Sequence, residues 1–284
     1  YTDNGFKLRS EYGGAAAPEV LQEVEALIAR VKEPRRLPLA DAVRDGLVQH
    51  VDPAPPYIEH LGSLVDLARL RNAGLHVALD PMWGVGVGWI PRLIGGGSTH
   101  FTTIHEGVNP RFPDMERPEP IEPNIRSLQE TVRSARADVG IANDGDADRV
   151  GVVDENGRFV NQLEVYGLLA LYLLEVRGWR GPLVKTVTTT MMAKKLAERY
   201  GVPVYETGVG FKYVAPKMIE VDAIMGGEES GGFAFRGHLP ERDGLLAGLF
   251  VLDLMVQKGL SPAKLLDYLF GLVGAHYYDR IDTH

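Results

Sequence analysis

Apolar residues along the chain follow two spacings, which together predict alternating helices and strands. Apolar residues three or four positions apart predict a helix that begins at Pro18. The same spacing predicts helices at residues 57–71, 124–135, 163–176, 191–200, 245–258 and 262–272. Short apolar runs predict strands at residues 75–79, 99–104, 138–142, 183–187, 202–205 and 222–225. Asn156 and Gly157 are typical of a hairpin turn between residues 150–154 and 158–160.

This alternation predicts the fold class and the division of the chain. Strands that alternate with long helices are typical of βαβ units, so we expect two consecutive three-layer α/β domains with mixed sheets. Their predicted bounds are residues 53–162 and 163–277, and the proline-rich residues 53–56 are interpreted as a linker. Residues 1–52 are too few for their own core and are interpreted as the remnant of a preceding α/β domain. The sequence shows no convincing internal repeat.

Composition narrows the classes of partner. The 284 residues carry a net charge of −8, which argues against nucleic acid because surfaces that bind phosphate backbones are basic. No apolar run approaches the roughly 18 residues that a membrane span needs, so we expect no membrane partner. The absence of cysteine excludes disulfides and thiolate chemistry and fits a cytoplasmic setting. Oligomeric state stays open. Because residue 1 is Tyr rather than Met, we expect the chain to begin inside a longer protein.

The strongest chemical signal is the acidic loop, residues 144–149, which lies between two strand-like runs. Asp144, Asp146 and Asp148 alternate with Gly and Ala, and Arg149 follows at once. Alternate residues of an extended loop point the same way, so the three carboxylates can converge on one point. Oxygen ligands suit a hard cation such as Mg²⁺, and the guanidinium suits a phosphate or carboxylate. We therefore predict a magnesium site here.

Two other interpretations of the acidic loop are less consistent with its sequence. A solvated acidic turn is disfavoured because the Asp residues alternate and the flanking residues are apolar. A calcium EF-hand loop would place Glu at its twelfth position, and Glu155 does stand there. The sixth position, however, holds Arg149 instead of glycine, and the flanks resemble strands instead of helices. These features exclude the EF-hand.

Four loops follow predicted strands, at residues 80–88, 144–149, 207–212 and 226–232. Ligands of α/β sheets gather beyond the carboxyl ends of the strands, where glycine-rich turns present backbone N–H groups to anions. Residues 80–88 lack the G-x-G-x-x-G dinucleotide pattern, so we interpret that loop as a structural turn. Lys212 is a candidate for binding a phosphate or for simple solvation.

Together these loops resemble those of the α-D-phosphohexomutase superfamily, which includes phosphoglucomutase, phosphomannomutase and phosphoglucosamine mutase. The acidic loop resembles that family's metal-binding loop. Gly-Glu-Glu-Ser-Gly at residues 227–231, called the Glu-Ser loop below, resembles its sugar-binding loop. Residues 207–212 resemble its Val-Gly-Phe-Lys substrate loop, residues 1–7 the end of its first active-site turn, and residues 241–244 its basic residue with Asp-Gly.

The resemblance implies an isomerase that exchanges hexose 1-phosphate and hexose 6-phosphate through a phosphoserine and a bound hexose bisphosphate. It implies that Mg²⁺ is held by the three Asp residues of the acidic loop and that Arg149 stabilises the phosphoryl group. Lys7 and Arg242 are then candidates for phosphate contact or proton transfer. The substrate-binding residues that it implies are Val209, Gly210, Lys212, Glu228 and Ser230. His238 is a separate candidate for the substrate site, although a surface-loop histidine is the preferred interpretation.

Two parts of the family pattern are missing from the chain. The loop with the phosphorylated serine is expected before Tyr1, and a fourth domain is expected after a linker at residues 278–284. Residues 1–52 are then the end of the family's first domain. Glu228, Glu229 and Ser230 favour glucose as the sugar, with phosphomannomutase and phosphoglucosamine mutase as alternatives. Alternatives outside the family are a metal-dependent sugar-phosphate phosphatase and a non-catalytic sugar-phosphate binding module.

Overall fold

The computed structural model describes residues 6–278. Residues 1–5 of the predicted turn at residues 1–7 therefore lie outside the described residues. The same is true of residues 279–284 of the predicted linker at 278–284. The first elements are α1 (Pro18–Ile28) and α2 (Leu39–Arg44). No residue of α1 is buried, which agrees with the prediction that residues 1–52 form no core of their own.

A five-stranded mixed sheet follows, in the order β2-β1-β3-β4-β5. Its strands are β1 (His76–Asp80), β2 (His100–Thr103), β3 (Val139–Asn143), β4 (Val150–Val153) and β5 (Phe159–Val160). Strands β2, β1 and β3 are parallel, whereas β4 and β5 run antiparallel and form the predicted hairpin at Gly157. The carboxyl ends of β1 and β3 therefore meet at one edge, from which the acidic loop projects.

The helices of this unit correct two predictions. They are α3 (Ala54–Leu64), α4 (Leu67–Arg71), α5 (Trp89–Ile94) and α6 (Arg126–Ala135). The linker interpretation of residues 53–56 is wrong, because proline is tolerated in the first turn of a helix, where its missing N–H has no partner to lose. The single helix at 57–71 is two helices, because Asp66 caps α4 by accepting a hydrogen bond from the Arg69 nitrogen at 2.9 Å.

The second sheet repeats the connection pattern of the first, in the order β7-β6-β8-β9. Its strands are β6 (Leu183–Thr186), β7 (Val204–Thr207), β8 (Met225–Gly227) and β9 (Phe233–Phe235). Two parallel pairs are followed by one antiparallel pair, as in β1 to β4 of the first sheet, which has β5 in addition. The sequence did not predict β9, which is only three residues long. The structure therefore contains a repeated arrangement that residue identities do not reveal, and the mixed α/β fold is confirmed.

Helices α7 (Gln162–Leu171), α8 (Met192–Tyr200), α9 (Phe211–Glu220), α10 (Gly244–Lys258) and α11 (Pro262–Val273) complete the fold. A π-helical turn, Tyr172–Val176, continues α7. Helices α7 and α10 are buried on nearly all sides and contribute to one apolar cluster with strands of both sheets. At Gly248 in α10, a Cβ would lie 3.2 Å from the Ile141 side chain of β3. The predicted boundary at residue 162 therefore crosses a continuous core.

Among the described residues, no single helix is long and apolar enough to cross a membrane. Only α10 and α11 taken together reach the required length and composition, and their axes differ by 82°.

Candidate active site

Three carboxylates converge in the acidic loop, between β3 and β4. Ligand oxygens of Asp144, Asp146 and Asp148 all lie within 4.8 Å of one another. The predicted reason, an extended loop, is wrong because the segment is a turn. Ala147 has a left-handed φ of 58°, and its N–H donates to the Asp144 carbonyl oxygen at 3.1 Å. The turn therefore brings the carboxylates together.

The carboxylates of the acidic loop differ in pKa. Burial raises the pKa of Asp144 to about 8, and the charges of Asp148 and Asp146 add to this effect. Burial also acts to raise the pKa of Asp146, but the hydrogen bond and charge of Lys7 outweigh it, so the net pKa is lowered. The Lys7 ammonium lies 2.8 Å from Asp146 Oδ2. Without a cation, the folded loop therefore favours the neutral form of Asp144 and the ionised form of Asp146.

These residues fit a hard cation. Asp148 Oδ1 is buried and has no hydrogen-bond partner among the described residues. A divalent ion would satisfy this oxygen and remove the repulsion between the carboxylates. Strands flank the loop, so the EF-hand, which needs flanking helices, is excluded. Asp144 is only 5% exposed, which contradicts a solvated acidic turn.

Arg149 ends the acidic loop beside these carboxylates. Its guanidinium lies 3.3 Å from Glu119, 3.6 Å from Asp144 and 3.8 Å from Asp148. Burial acts to lower its pKa, but the three carboxylates outweigh burial and raise it. The side chain therefore stays cationic, and its fork of N–H donors suits an anion that approaches the loop.

The Glu-Ser loop lies directly against the acidic loop. It is a tight turn between β8 and β9, in which Gly231 N donates to Glu228 O at 3.2 Å. Val150 N donates to Gly231 O at 3.0 Å, so the two loops are joined through their backbones. Gly231 has a φ of 92°, and a Cβ there would lie 2.9 Å from Val150 O. Glycine is therefore required where the loops meet.

Arg242 joins the two loops a second time, through side chains. Its guanidinium lies 2.5 Å from Asp148 Oδ2 and 3.5 Å from Glu228 Oε2. The same group lies 5.7 Å from the centre of the Phe211 ring. Burial raises the pKa of Glu228, which Arg242 opposes and Glu229 reinforces. The candidate metal ligand and the candidate sugar ligand thus share one cation.

Glu229 is positioned by hydroxyl groups that the sequence did not connect with it. Thr188 Oγ1 donates to Glu229 Oε2 at 2.6 Å, and Thr186 Oγ1 donates to the same oxygen at 2.9 Å. The sequence associated threonines 188–190 only with a strand-to-helix turn. Because the contacts span more than forty positions, only the run of hydroxyl residues after a strand could have suggested a binding role.

Residues 207–212 run from the end of β7 into the first turn of α9. Gly210 is the N-cap of α9, Val209 is 51% exposed, and the Lys212 ammonium lies 5.1 Å from the centre of the Tyr213 ring. Among the described residues, the Lys212 side chain forms no ion pair with a carboxylate. The substrate-binding roles of these three residues stay predictions.

His238 is shielded, so its interpretation as a surface-loop histidine is wrong. Its side chain is 9% exposed, and Nε2 lies 3.1 Å from Asp243 Oδ2. Nδ1 lies 2.9 Å from the Nε2 atom of His60 in α3. Tyr57 donates to the same Asp243 oxygen at 2.8 Å. Both ring nitrogens of His238 are thus engaged by protein, which favours a role in holding α3 against α10 over contact with a sugar.

The glycine-rich loop at residues 80–88 packs against the acidic loop. Val85 N donates to Gly145 O at 3.1 Å, and a Cβ on Gly84 would lie 2.5 Å from that oxygen. The Asp80 carboxylate accepts hydrogen bonds from the Met82 N–H and the His105 ring at 2.8 Å each. These contacts agree with the interpretation of this loop as a structural turn.

Comparison with protein families matches two regions of the chain. Residues 55–157 match the model of phosphoglucomutase/phosphomannomutase alpha/beta/alpha domain II, and residues 162–272 match that of domain III. A phosphoglucomutase/phosphomannomutase from Thermococcus kodakarensis is 32% identical over 79% of the chain and 49% of its own length. A phosphoglucosamine mutase from Rubrobacter xylanophilus is 33% identical over 93% of the chain and 57% of its own length. The chain thus spans about half the length of these relatives.

Solved structures give the same result. A Thermus thermophilus protein described as a phosphomannomutase has a TM-score of 0.83 and 34% identity, over 93% of this chain and 58% of its own. Aspergillus fumigatus N-acetylphosphoglucosamine mutase, solved with GlcNAc-6P and magnesium, has a TM-score of 0.57. It is 16% identical over 74% of this chain and 52% of its own, so this likeness shows the fold alone.

Proposed function

The chain belongs to the α-D-phosphohexomutase superfamily, and from this premise we propose that its protein interconverts hexose 1-phosphate and hexose 6-phosphate. In the proposed reaction, a phosphoserine outside this chain gives its phosphoryl group to the free hydroxyl of the hexose phosphate. The resulting bisphosphate turns round and returns its other phosphoryl group to the serine. No phosphate is lost, because each transfer breaks one P–O bond and forms another.

The observation that carries the proposal is the double connection between the acidic loop and the Glu-Ser loop. The Val150–Gly231 backbone hydrogen bond and the Arg242 bridge hold candidate metal and sugar ligands on one rigid surface. Phosphoryl transfer depends mainly on positioning and on stabilisation of charge, and a rigid surface provides both. A binding module would need the sugar ligands but not the cluster of carboxylates beside them.

Each residue of this surface has a defined role in the proposal. Asp144, Asp146 and Asp148 would hold Mg²⁺, which neutralises charge on a transferring phosphoryl group when it is bound. Arg149 donates hydrogen bonds to the same phosphoryl group. Glu228 orients the sugar by accepting hydrogen bonds from its hydroxyl groups.

Ser230 donates a hydrogen bond to the sugar. The cations Lys7 and Arg242 act on neighbouring carboxylates. Lys7, paired with Asp146, tunes the charge of the carboxylate cluster. Arg242 keeps Glu228 turned toward the acidic loop.

We propose glucose as the sugar. The support is the pair of adjacent carboxylates, Glu228 and Glu229, of which Glu229 is fixed by two threonine hydroxyl groups. Fixed acceptors discriminate well between sugars that differ in a hydroxyl group. The relatives include phosphoglucosamine mutases, so mannose and glucosamine phosphates are the sugars to compare.

The test assays the complete protein that carries this chain with glucose 1-phosphate, Mg²⁺ and a hexose bisphosphate primer. We expect primer-dependent formation of glucose 6-phosphate without release of inorganic phosphate. Net phosphate release would identify a phosphatase instead, and tight binding without turnover by the phosphorylated protein would identify a binding module. Higher kcat/KM values for mannose 1-phosphate or glucosamine 1-phosphate would overturn the choice of glucose alone.

A further inference from the structure

A cavity of about 620 Å³ lies beside the two loops of the candidate site. Its lining includes Arg149 of the acidic loop, Glu229 and Ser230 of the Glu-Ser loop, and Gln162 at the start of α7. Arg117, from the proline-rich loop that precedes α6, also lines it. The volume is in the range of small-molecule sites in proteins.

The cavity is lined both by hydrogen-bond acceptors and by positively charged hydrogen-bond donors. Glu229 and Ser230 offer carboxylate and hydroxyl oxygens, which suit the hydroxyl groups of a sugar. Arg117 and Arg149 offer guanidinium groups, which suit phosphate because their N–H donors match two phosphate oxygens at once. A sugar phosphate is complementary to both sets of groups.

The cations near the site are not equally available. Arg149 already faces three carboxylates. Arg242 contacts Asp148 and Glu228, and Lys7 contacts Asp146. Arg117 alone among these four cations forms no ion pair with any described residue. Two further carboxylates line the cavity, Glu119 and Glu122, and they are paired with Arg149 and with Arg126 of α6. The Arg117 guanidinium is therefore available to an anion that enters the cavity.

The backbone of Arg117 is held firmly although its side chain is exposed. Its carbonyl oxygen accepts a hydrogen bond from Asn124 Nδ2 at 2.6 Å. The carbonyl oxygen of the next residue, Pro118, accepts a hydrogen bond from Gly145 N at 3.2 Å, so this segment is attached to the acidic loop. The guanidinium is thus carried on a segment that is fixed relative to the candidate metal ligands.

We propose that Arg117 binds a phosphate group of the hexose phosphate, with the sugar turned toward Glu229 and Ser230. This inference rests on the proposed function and adds to it a phosphate-binding residue that the sequence motifs did not indicate. Binding is electrostatic and includes hydrogen bonds from the guanidinium. It therefore weakens as ionic strength rises.

The test compares R117Q with R111Q in the complete protein. Arg111 is an exposed arginine of the same loop that does not line the cavity, so it controls for the loss of one positive charge. The dissociation constants of glucose 1-phosphate and of glucose are measured by calorimetry, and KM and kcat are measured for the isomerisation. For R117Q we expect the Kd of glucose 1-phosphate to rise about tenfold, as for the loss of one charge-assisted contact at a partly solvated site. Glucose binding and R111Q should be unchanged, and R117K should lie between R117Q and the wild type.

The outcomes separate this inference from the proposed function. Equal Kd values for wild type and R117Q, or equal weakening in R117Q and R111Q, would overturn the role of Arg117 while isomerisation by the wild type left the function intact. Selective weakening in R117Q, in a protein that binds but does not isomerise, would support Arg117 and reject the mutase. A wild type that binds no glucose 1-phosphate would reject both. Thermal unfolding midpoints of the variants show whether the fold is retained.

Discussion

Thr188 supplies one of two hydroxyl groups that fix Glu229, and its removal tests the importance of that positioning. We expect T188V to lower kcat/KM for hexose phosphates about fivefold, since a hydrogen bond at an exposed site contributes about 1 kcal/mol. T188S keeps the hydroxyl group and should retain activity. If T188V equals the wild type, Thr186 alone positions Glu229. Steady-state kinetics on the complete protein measures the effect.

Asp144 makes metal binding depend on pH. Its pKa is raised to about 8 in the absence of a cation, whereas a metal ligand must be a carboxylate. We therefore expect the affinity for Mg²⁺ to increase as pH rises through about 8 and then to level off. Below that pH, binding should release a proton, seen by calorimetry in two buffers of different ionisation enthalpy. The same buffers should show no proton release for D144N, and an affinity independent of pH would contradict the prediction.

Residues close in sequence were the ones whose chemistry could be predicted. Asp144, Asp146 and Asp148 lie within one turn, so their types and spacing were enough to indicate a cation site. The partners of Arg242 and of Glu229 could not be predicted, because they come from strands and loops that only the folded chain brings together. Arg117 has no motif of its own and depends on the cavity for its interpretation.

At the scale of elements, Gly248 allows α10 to lie close to β3. A Cβ there would lie 3.2 Å from the Ile141 side chain, so a large residue would overpack the core. We expect G248L to lower the free energy of unfolding by about 1–3 kcal/mol, measured by chemical denaturation.

Gly271 in α11 is the matched control, because a Cβ there would meet nothing within 4 Å. G271A should raise the free energy of unfolding by about 0.5–1 kcal/mol, since alanine favours the helix. If G248L were as stable as G271A, then α10 would not pack closely on β3.

The elements show why predicted helix boundaries are less certain than predicted helices. Every strongly periodic helix is present, but α3 starts within the proline run and ends before Val65 because Asp66 begins a new helix. Strand β9 was missed because its three residues, Phe-Ala-Phe, show no alternation of apolar and polar positions. Local signals therefore identified the element types, whereas caps and neighbouring strands decided their limits.

At the scale of the whole molecule, the two sheets share one apolar core. Helix α10 contacts β3 and β4 of the first sheet and β9 of the second. We therefore expect this chain to unfold in a single transition, with calorimetric and van't Hoff enthalpies that agree. Two separate transitions, one for each sheet, would show that the core is not cooperative. The domain division at residue 162 stays a prediction that this measurement also addresses.

The repeated order of the two sheets explains what the sequence could and could not indicate about the whole fold. The alternation of strands and helices was enough to predict two α/β units. The two units looked alike in layout but showed no convincing sequence repeat, because different residues satisfy the same packing requirement in β1 and β6. Residues that face the shared core, such as Tyr166 and Phe250, gave no sign of which sheet they would contact.

The backbone hydrogen bond between Val150 and Gly231 has a consequence for how a substrate could turn round. Because the acidic loop and the Glu-Ser loop are tied together, neither can swing away to make room. We expect the bisphosphate to rotate over the fixed surface that these two loops form. The space for this rotation must then come from parts of the protein that face this surface. The rate of this rotation would then depend on solvent viscosity and on the mobility of those facing parts. The surface of the two loops would determine only the two orientations in which the sugar binds.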